Sequence, residues 1–163
     1  LTDAWDTTLV SRIYPGGPLE QVLLDRASAG EPVAITAPTV METVRGLQAT
    51  ATRKSEMAAA LRWFTGAIAS DLVEILSLDR SAAILAGRLR AVQPTPPTGL
   101  RRRGTKPEQR AGWILDIQIA ACAWTHGRHI ATENRHDFQA LSNLIATLYP
   151  NTTPLVISTS PLA

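Results

Sequence analysis

The sequence has one cysteine in 163 residues, two lysines among its sixteen Lys and Arg side chains, and only 5% aromatic residues. Each shortage excludes something. The single thiol, Cys122, can close no intramolecular disulfide, so nothing calls for an oxidising compartment, and its apolar neighbours make it a small core residue. No run of about 18 apolar residues is available to cross a bilayer, and the opening LTDAWD lacks the basic-then-apolar pattern of a secretory signal. A soluble, cytoplasmic protein without membrane contact is the expectation. Neither GxGxxG nor GxxxxGK[ST] occurs, so Gly16-Gly17 is not a phosphate loop, and His126, His129 and His136 lack a metalloprotease spacing. The histidines are read as surface or turn residues, with phosphate contact open to His129 and His136.

What is present fits one domain, long enough to bury roughly two thirds of its unfolded surface without staples. The net charge of +2 is small, but fourteen of the sixteen basic residues are Arg. Arginine suits bidentate phosphate contact, as a nucleic-acid partner requires, although a high-GC genome yields the same composition.

Taken in order, Ala4-Trp5 reads as a strand end with Asp6 at its carboxyl terminus. Pro18 suits the first position of a helix that runs to a stop at Gly30, with Leu19, Val22, Leu23 and Ala27 as its apolar stripe. Val33 to Thr36 is a short strand leading into a helix, VMETVRGLQAT, which puts Glu42 in about its first turn. Lys54 to Ser70 has helical periodicity through Met57, Leu61, Phe64 and Ile68. A strand over Leu72 to Leu76 follows, then a helix capped by Asp79. Residues 93–109, with four prolines, two glycines and Arg101-Arg102-Arg103, form a Pro/Arg-rich loop. After the next helix come a strand over His129 to Thr132, a helix from about Gln139 to Leu148, and a last strand over Pro154 to Ser158. Alternating strands and helices predict a three-layer α/β/α domain around a mainly parallel sheet.

The most apolar segment, WILDIQIAACAW from Trp113 to Trp124, is interrupted only by Asp116 and Gln118. A lone buried carboxylate costs several kcal/mol, so Asp116 is expected to be paired, hydrogen-bonded or metal-bound. On a helix, Asp116, Ala120, Ala123 and Gly127 share one face, a strip of small residues with the acid at its N-terminal end. In a parallel sheet, residues after the strands gather at one edge, where ligands bind. Asp6, Glu42 and Asp137 can all reach that edge, and Asp116 can reach it from its helix. Four converging acids repel one another unless a cation compensates, and carboxylates with water are the ligand set of Mg²⁺ or Mn²⁺. Such an ion can activate water against a phosphodiester.

WDTTLVS, the Glu of VMETVRG, DIQIAA and TENRHDF together resemble the four motifs of the PIN-domain nucleases, and most closely the VapC-type toxins of bacterial toxin–antitoxin pairs. The resemblance spans essentially the whole chain, and DxxIAA followed by TxNxxDF is its most specific part. It implies a PIN-like fold and a Mg²⁺- or Mn²⁺-dependent endoribonuclease acting on a structured RNA such as tRNA or rRNA. It also implies a homodimer and a small VapB-type antitoxin. Carried across, Asp6, Glu42 and Asp116 are the first three acids, used in catalysis and metal binding. Family members place the fourth acid at the position of either Asn134 or Asp137. Asp137 is preferred here, with Thr132 and Asn134 holding metal-site waters. The first strand is shorter than the family's, and the Pro/Arg-rich loop is longer. Arg101, Arg102 and Arg103 are candidates for RNA phosphate contact.

Two rivals stand beside this reading. A phosphoryl-accepting receiver domain also gathers acids around Mg²⁺, but it needs a Lys after a late strand, and neither Lys54 nor Lys106 is there. A degenerate PIN-like module would bind RNA or protein without cutting, and Asn134 is its foothold.

Overall fold

The computed structural model describes residues 3–97, 104–159 and 161. Five strands, β1 (Ala4–Trp5), β2 (Val33–Thr36), β3 (Val73–Leu76), β4 (Ile130–Ala131) and β5 (Ile157–Ser158), form one sheet in the order β3-β2-β1-β4-β5. Every pairing is parallel. Around it lie α1 (Thr7–Val10), α2 (Pro18–Ser28), α3 (Ala37–Ala51), α4 (Ser55–Ile68), α5 (Arg80–Val92), α6 (Lys106–Thr125) and α7 (Arg135–Leu148).

The three central strands, β1, β2 and β4, are buried on both faces, as a sheet covered on both sides requires. Alternation divides their side chains between two cores. Ala4, Ala34, Leu76 and Ile130 face Leu85 and Leu89 of α5, Trp113, Ile117 and Ala121 of α6, and Phe138, Leu141 and Ile145 of α7. Trp5, Val33, Ile35, Val73 and Ala131 face Leu9, Leu19, Leu23 and Phe64, with Val40, Val44 and Leu47 of α3 packed at the margin. The result is the three-layer α/β/α arrangement expected from the alternation of elements.

Local chemistry sets the helix starts. Pro18 begins α2, Thr36 caps α3 by accepting the Thr39 amide at 3.2 Å, and Asp79 caps α5 by accepting that of Ala82 at 2.9 Å. Gly30 closes the turn after α2 at φ +75°, a left-handed conformation that a side chain would strain.

Three helix starts differ from expectation. α6 begins at Lys106, inside the segment read as loop. Its start is a capping box in which the Glu108 carboxylate accepts the Thr105 amide at 2.7 Å while Thr105 accepts that of Glu108. Asp116 therefore stands near the middle of a 20-residue helix, not in its first turns. α3 starts at Ala37, which moves Glu42 into the second turn, away from the helix N-terminus. Finally, α7 starts at Arg135, so Asp137 lies in its first turn.

Candidate active site

The sheet order fixes where a site can form. The chain builds outward from β1 through β2 to β3, then returns to place β4 on the other side of β1. The crevice between β1 and β4, at their carboxyl ends, is the switch point at which ligands bind in open α/β sheets. Trp5 pairs with Ala131. The next residue along each strand is Asp6 and Thr132, so register alone brings these two side by side.

Asp6 is 2% exposed. Its Oδ2 accepts the Thr132 hydroxyl at 2.7 Å, and its Oδ1 accepts the Thr8 hydroxyl at 2.6 Å, the Thr8 amide at 3.0 Å and the Leu9 amide at 3.3 Å. These bonds also make Asp6 the N-cap of α1, a role not read from the sequence. Burial nevertheless raises the Asp6 carboxyl above its ordinary value, outweighing the hydrogen bonds from Thr8, Thr132 and Leu9 that favour the charged form.

A second acid is tied to the first. Thr132 Oγ1 accepts the Asn134 amide at 2.8 Å, and the Asn134 side-chain amide donates to Asp116 Oδ2 at 3.3 Å. Asp6, Thr132, Asn134 and Asp116 thus form one hydrogen-bonded chain from the central strand to α6. Asp116 is only half-buried, which corrects the expectation of a deeply buried acid; the sequestered carboxylates are Asp6 and Asp137, the latter 4% exposed. Asp137 follows Asn134 by three residues in the opening turn of α7.

Glu42 stands apart from this chain. Both of its carboxylate oxygens accept from the exposed guanidinium of Arg45, with Arg45 Nε at 2.8 Å from Oε2. It borders two hollows. One, of about 240 Å³, is lined also by Thr7, Val10, Leu47 and Phe64; the other, of about 560 Å³, by Arg45, Glu108, Ile114 and Gln118. Through Thr7 the smaller hollow begins at the residue next to Asp6.

The remaining candidates divide. His136 is exposed in the first turn of α7. His129 lies 3.6 Å from Asp3, and the His126 ring bonds the Cys122 carbonyl at 2.9 Å. Arg101, Arg102 and Arg103 lie outside the described residues. Cys122 is fully buried, and that burial, with Asp79 nearby, pushes its thiol up to about 12. It is an inert core residue. Thr8 lies outside the expected set, although a Thr two residues after an Asp at a strand end is the signal by which it is found.

The donor set fits a hard divalent cation. Carboxylate, hydroxyl and amide oxygens are its ligand chemistry, and a buried acid whose charged form is penalised gains from a compensating positive charge. Among the described residues no three His, Cys, Asp or Glu side chains stand together as a ready-made cage. The arrangement suits an ion held by one or two carboxylates with water completing the shell, as Mg²⁺ commonly is.

The covered parallel sheet in the order β3-β2-β1-β4-β5, with an acid at its central switch point, is that of an α/β/α domain, and the comparisons with solved structures give it a PIN-like fold. Solved structures agree over nearly the whole chain. A chain of VapBC2 from Rickettsia felis, crystallised with a DNA fragment from its promoter, matches with a TM-score of 0.62 at 17% identity, covering 98% of this chain and 99% of that one. DNA-bound VapBC from Salmonella typhimurium matches at 0.60 and 20% identity, with 98% of each chain covered. VapBC-1 from nontypeable Haemophilus influenzae matches at 0.60 and 14% identity, again over 98% of each. The resemblance of the sequence to VapC-type chains therefore holds in the fold. No protein-family model and no curated protein sequence matches the chain.

Proposed function

We propose that this protein is a Mg²⁺- or Mn²⁺-dependent endoribonuclease, the toxin of a toxin–antitoxin pair, that cuts a structured RNA such as tRNA or rRNA. The observation that carries the reading is the hydrogen-bonded chain Asp6–Thr132–Asn134–Asp116 at the sheet's switch point. Asp6, Asp116 and Asp137 would hold the cation directly or through water, and Glu42 would join them from α3 by giving up its ion pair with Arg45. When bound, the ion supplies a positive charge beside the phosphodiester and activates water for attack. Thr132 fixes the Asp6 carboxylate by donating to it. Asn134 holds the Asp116 carboxylate by donating its side-chain amide. The low exposure of Asp6 and Asp137 limits competing water around them.

Two partners belong to this reading, a second copy of the chain and a small VapB-type antitoxin. The structural neighbours come from toxin–antitoxin complexes. Exposed apolar side chains such as Met41 at 60% and Ile84 at 52% suit contact with protein. No helix among the described residues is long and apolar enough to cross a membrane.

The second reading, a PIN-like module that binds RNA or protein without cutting it, is favoured by two observations. Glu42 is engaged by Arg45, and no three acids meet among the described residues. Incubating the purified protein with total tRNA and rRNA in Mn²⁺, Mg²⁺ or EDTA separates the two. Discrete fragments that require metal support the nuclease; intact RNA that is still bound by folded protein supports the module.

A further inference from the structure

Two hydroxyls grip Asp6 from opposite sides, and each is itself held by a backbone amide of the segment joining β4 to α7. Thr132 Oγ1 accepts the Asn134 amide at 2.8 Å and donates to Asp6 Oδ2 at 2.7 Å. Thr8 Oγ1 accepts the Glu133 amide at 3.1 Å and donates to Asp6 Oδ1 at 2.6 Å. A hydroxyl has one proton to give, so an amide donating to each oxygen leaves that proton for the carboxylate. The Arg12–Glu133 ion pair closes the same seam at the surface. Asp6 Oδ1 takes three donors in all, from the Thr8 hydroxyl and the Thr8 and Leu9 amides, whereas Oδ2 takes one. The two oxygens are therefore unequal.

We propose that Thr8 is a positioning residue which, joined to the Glu133 amide, saturates Asp6 Oδ1 and turns Oδ2 toward the cation site. This rests on the metal-dependent reading above and extends it to a residue outside the acidic set. The Thr8 hydroxyl is committed to Asp6 and to the Glu133 amide. Its effect passes through the orientation of Asp6, and it couples that orientation to the β4–α7 segment that also carries Thr132 and Asn134. Groups that orient a metal-binding carboxylate typically change affinity about 10- to 100-fold when removed.

The test compares the wild-type chain with Thr8→Val, which keeps the shape and loses the hydroxyl, with Thr8→Ser, which restores it, and with Asp6→Asn. Two quantities are read: Mn²⁺ affinity by calorimetry, and hydrogen exchange at the Glu133 amide without metal. The expected result is Mn²⁺ affinity about 10-fold weaker and faster Glu133 exchange in Thr8→Val, both largely recovered in Thr8→Ser, with binding lost in Asp6→Asn. Wild-type Mn²⁺ affinity in Thr8→Val, alongside loss in Asp6→Asn, would overturn the role of Thr8 and leave the metal site standing. No Mn²⁺ binding by the wild-type chain would overturn both.

Discussion

Replacing Thr132 with Val tests whether the link from β4 to Asp6 carries charge. The change keeps the side chain's shape at a position 1% exposed and removes one oxygen. Two hydrogen bonds go with it, the 2.7 Å bond given to Asp6 Oδ2 and the 2.8 Å bond taken from the Asn134 amide. A bond to a charged group contributes about 1.5–3 kcal/mol and a neutral one about 1, while the added methyl regains part of this, so the net loss is about 2–3 kcal/mol. For a chain of this size that is a fall in Tm of roughly 4–12 °C.

The loss has a pH signature. The folded Asp6 carboxyl already lies above its ordinary value because of burial, so the folded state binds more protons than the unfolded chain, and stability falls as pH rises from the unfolded value through the folded one. Thr132 favours the charged form, and removing it raises the folded value further. The difference between wild type and Thr132→Val should therefore grow as pH rises through the wild-type folded value and reach its full size above the variant's. Urea unfolding at about pH 4 and about pH 7.5 reads this difference directly. A loss that is equal at both pH values, or absent at the higher one, would refute the claim that Thr132 holds a charged Asp6.

Other consequences are checked more simply. Cys122, fully buried with its thiol pushed up to about 12, should resist iodoacetamide in the native protein at neutral pH and react fully in denaturant; rapid native labelling would mean that α6 opens readily. Thr36→Ala removes the N-cap of the helix that carries Glu42 and should cost about 1–2 kcal/mol in chemical denaturation; an unchanged midpoint would show that the 3.2 Å bond to the Thr39 amide contributes nothing.

How far the sequence leads can be judged residue by residue. The β2 strand, the start of α2 at Pro18 and the Asp79-capped α5 are all readable, because β-branched runs, an N1 proline and an N-cap acid are local signals. At the start of α6 local signals conflict, because Thr105 and Glu108 spell a capping box while the prolines and glycines before them argue for loop. That one boundary also decides whether Asp116 stands early or midway in its helix. Its half-burial was hidden for a different reason: apolar neighbours in sequence do not say which face of a helix turns to the core. The meeting of Asp6 with Thr132 depends on the pairing of β1 with β4, strands separated by more than a hundred residues and only two residues long. Periodicity cannot show a register; it shows only that both residues end strands.

The central claim is that Asp6 and Asp116 work as one site, and single-turnover cleavage of purified tRNA with excess enzyme in Mn²⁺ tests it through Asp6→Asn, Asp116→Asn and the double variant. Groups acting as a unit are grossly non-additive, so each single change should reduce the rate by about 10³-fold or more and the double variant should be no slower than the singles. Wild-type rates in either folded single variant, or losses that multiply in the double, would contradict the account.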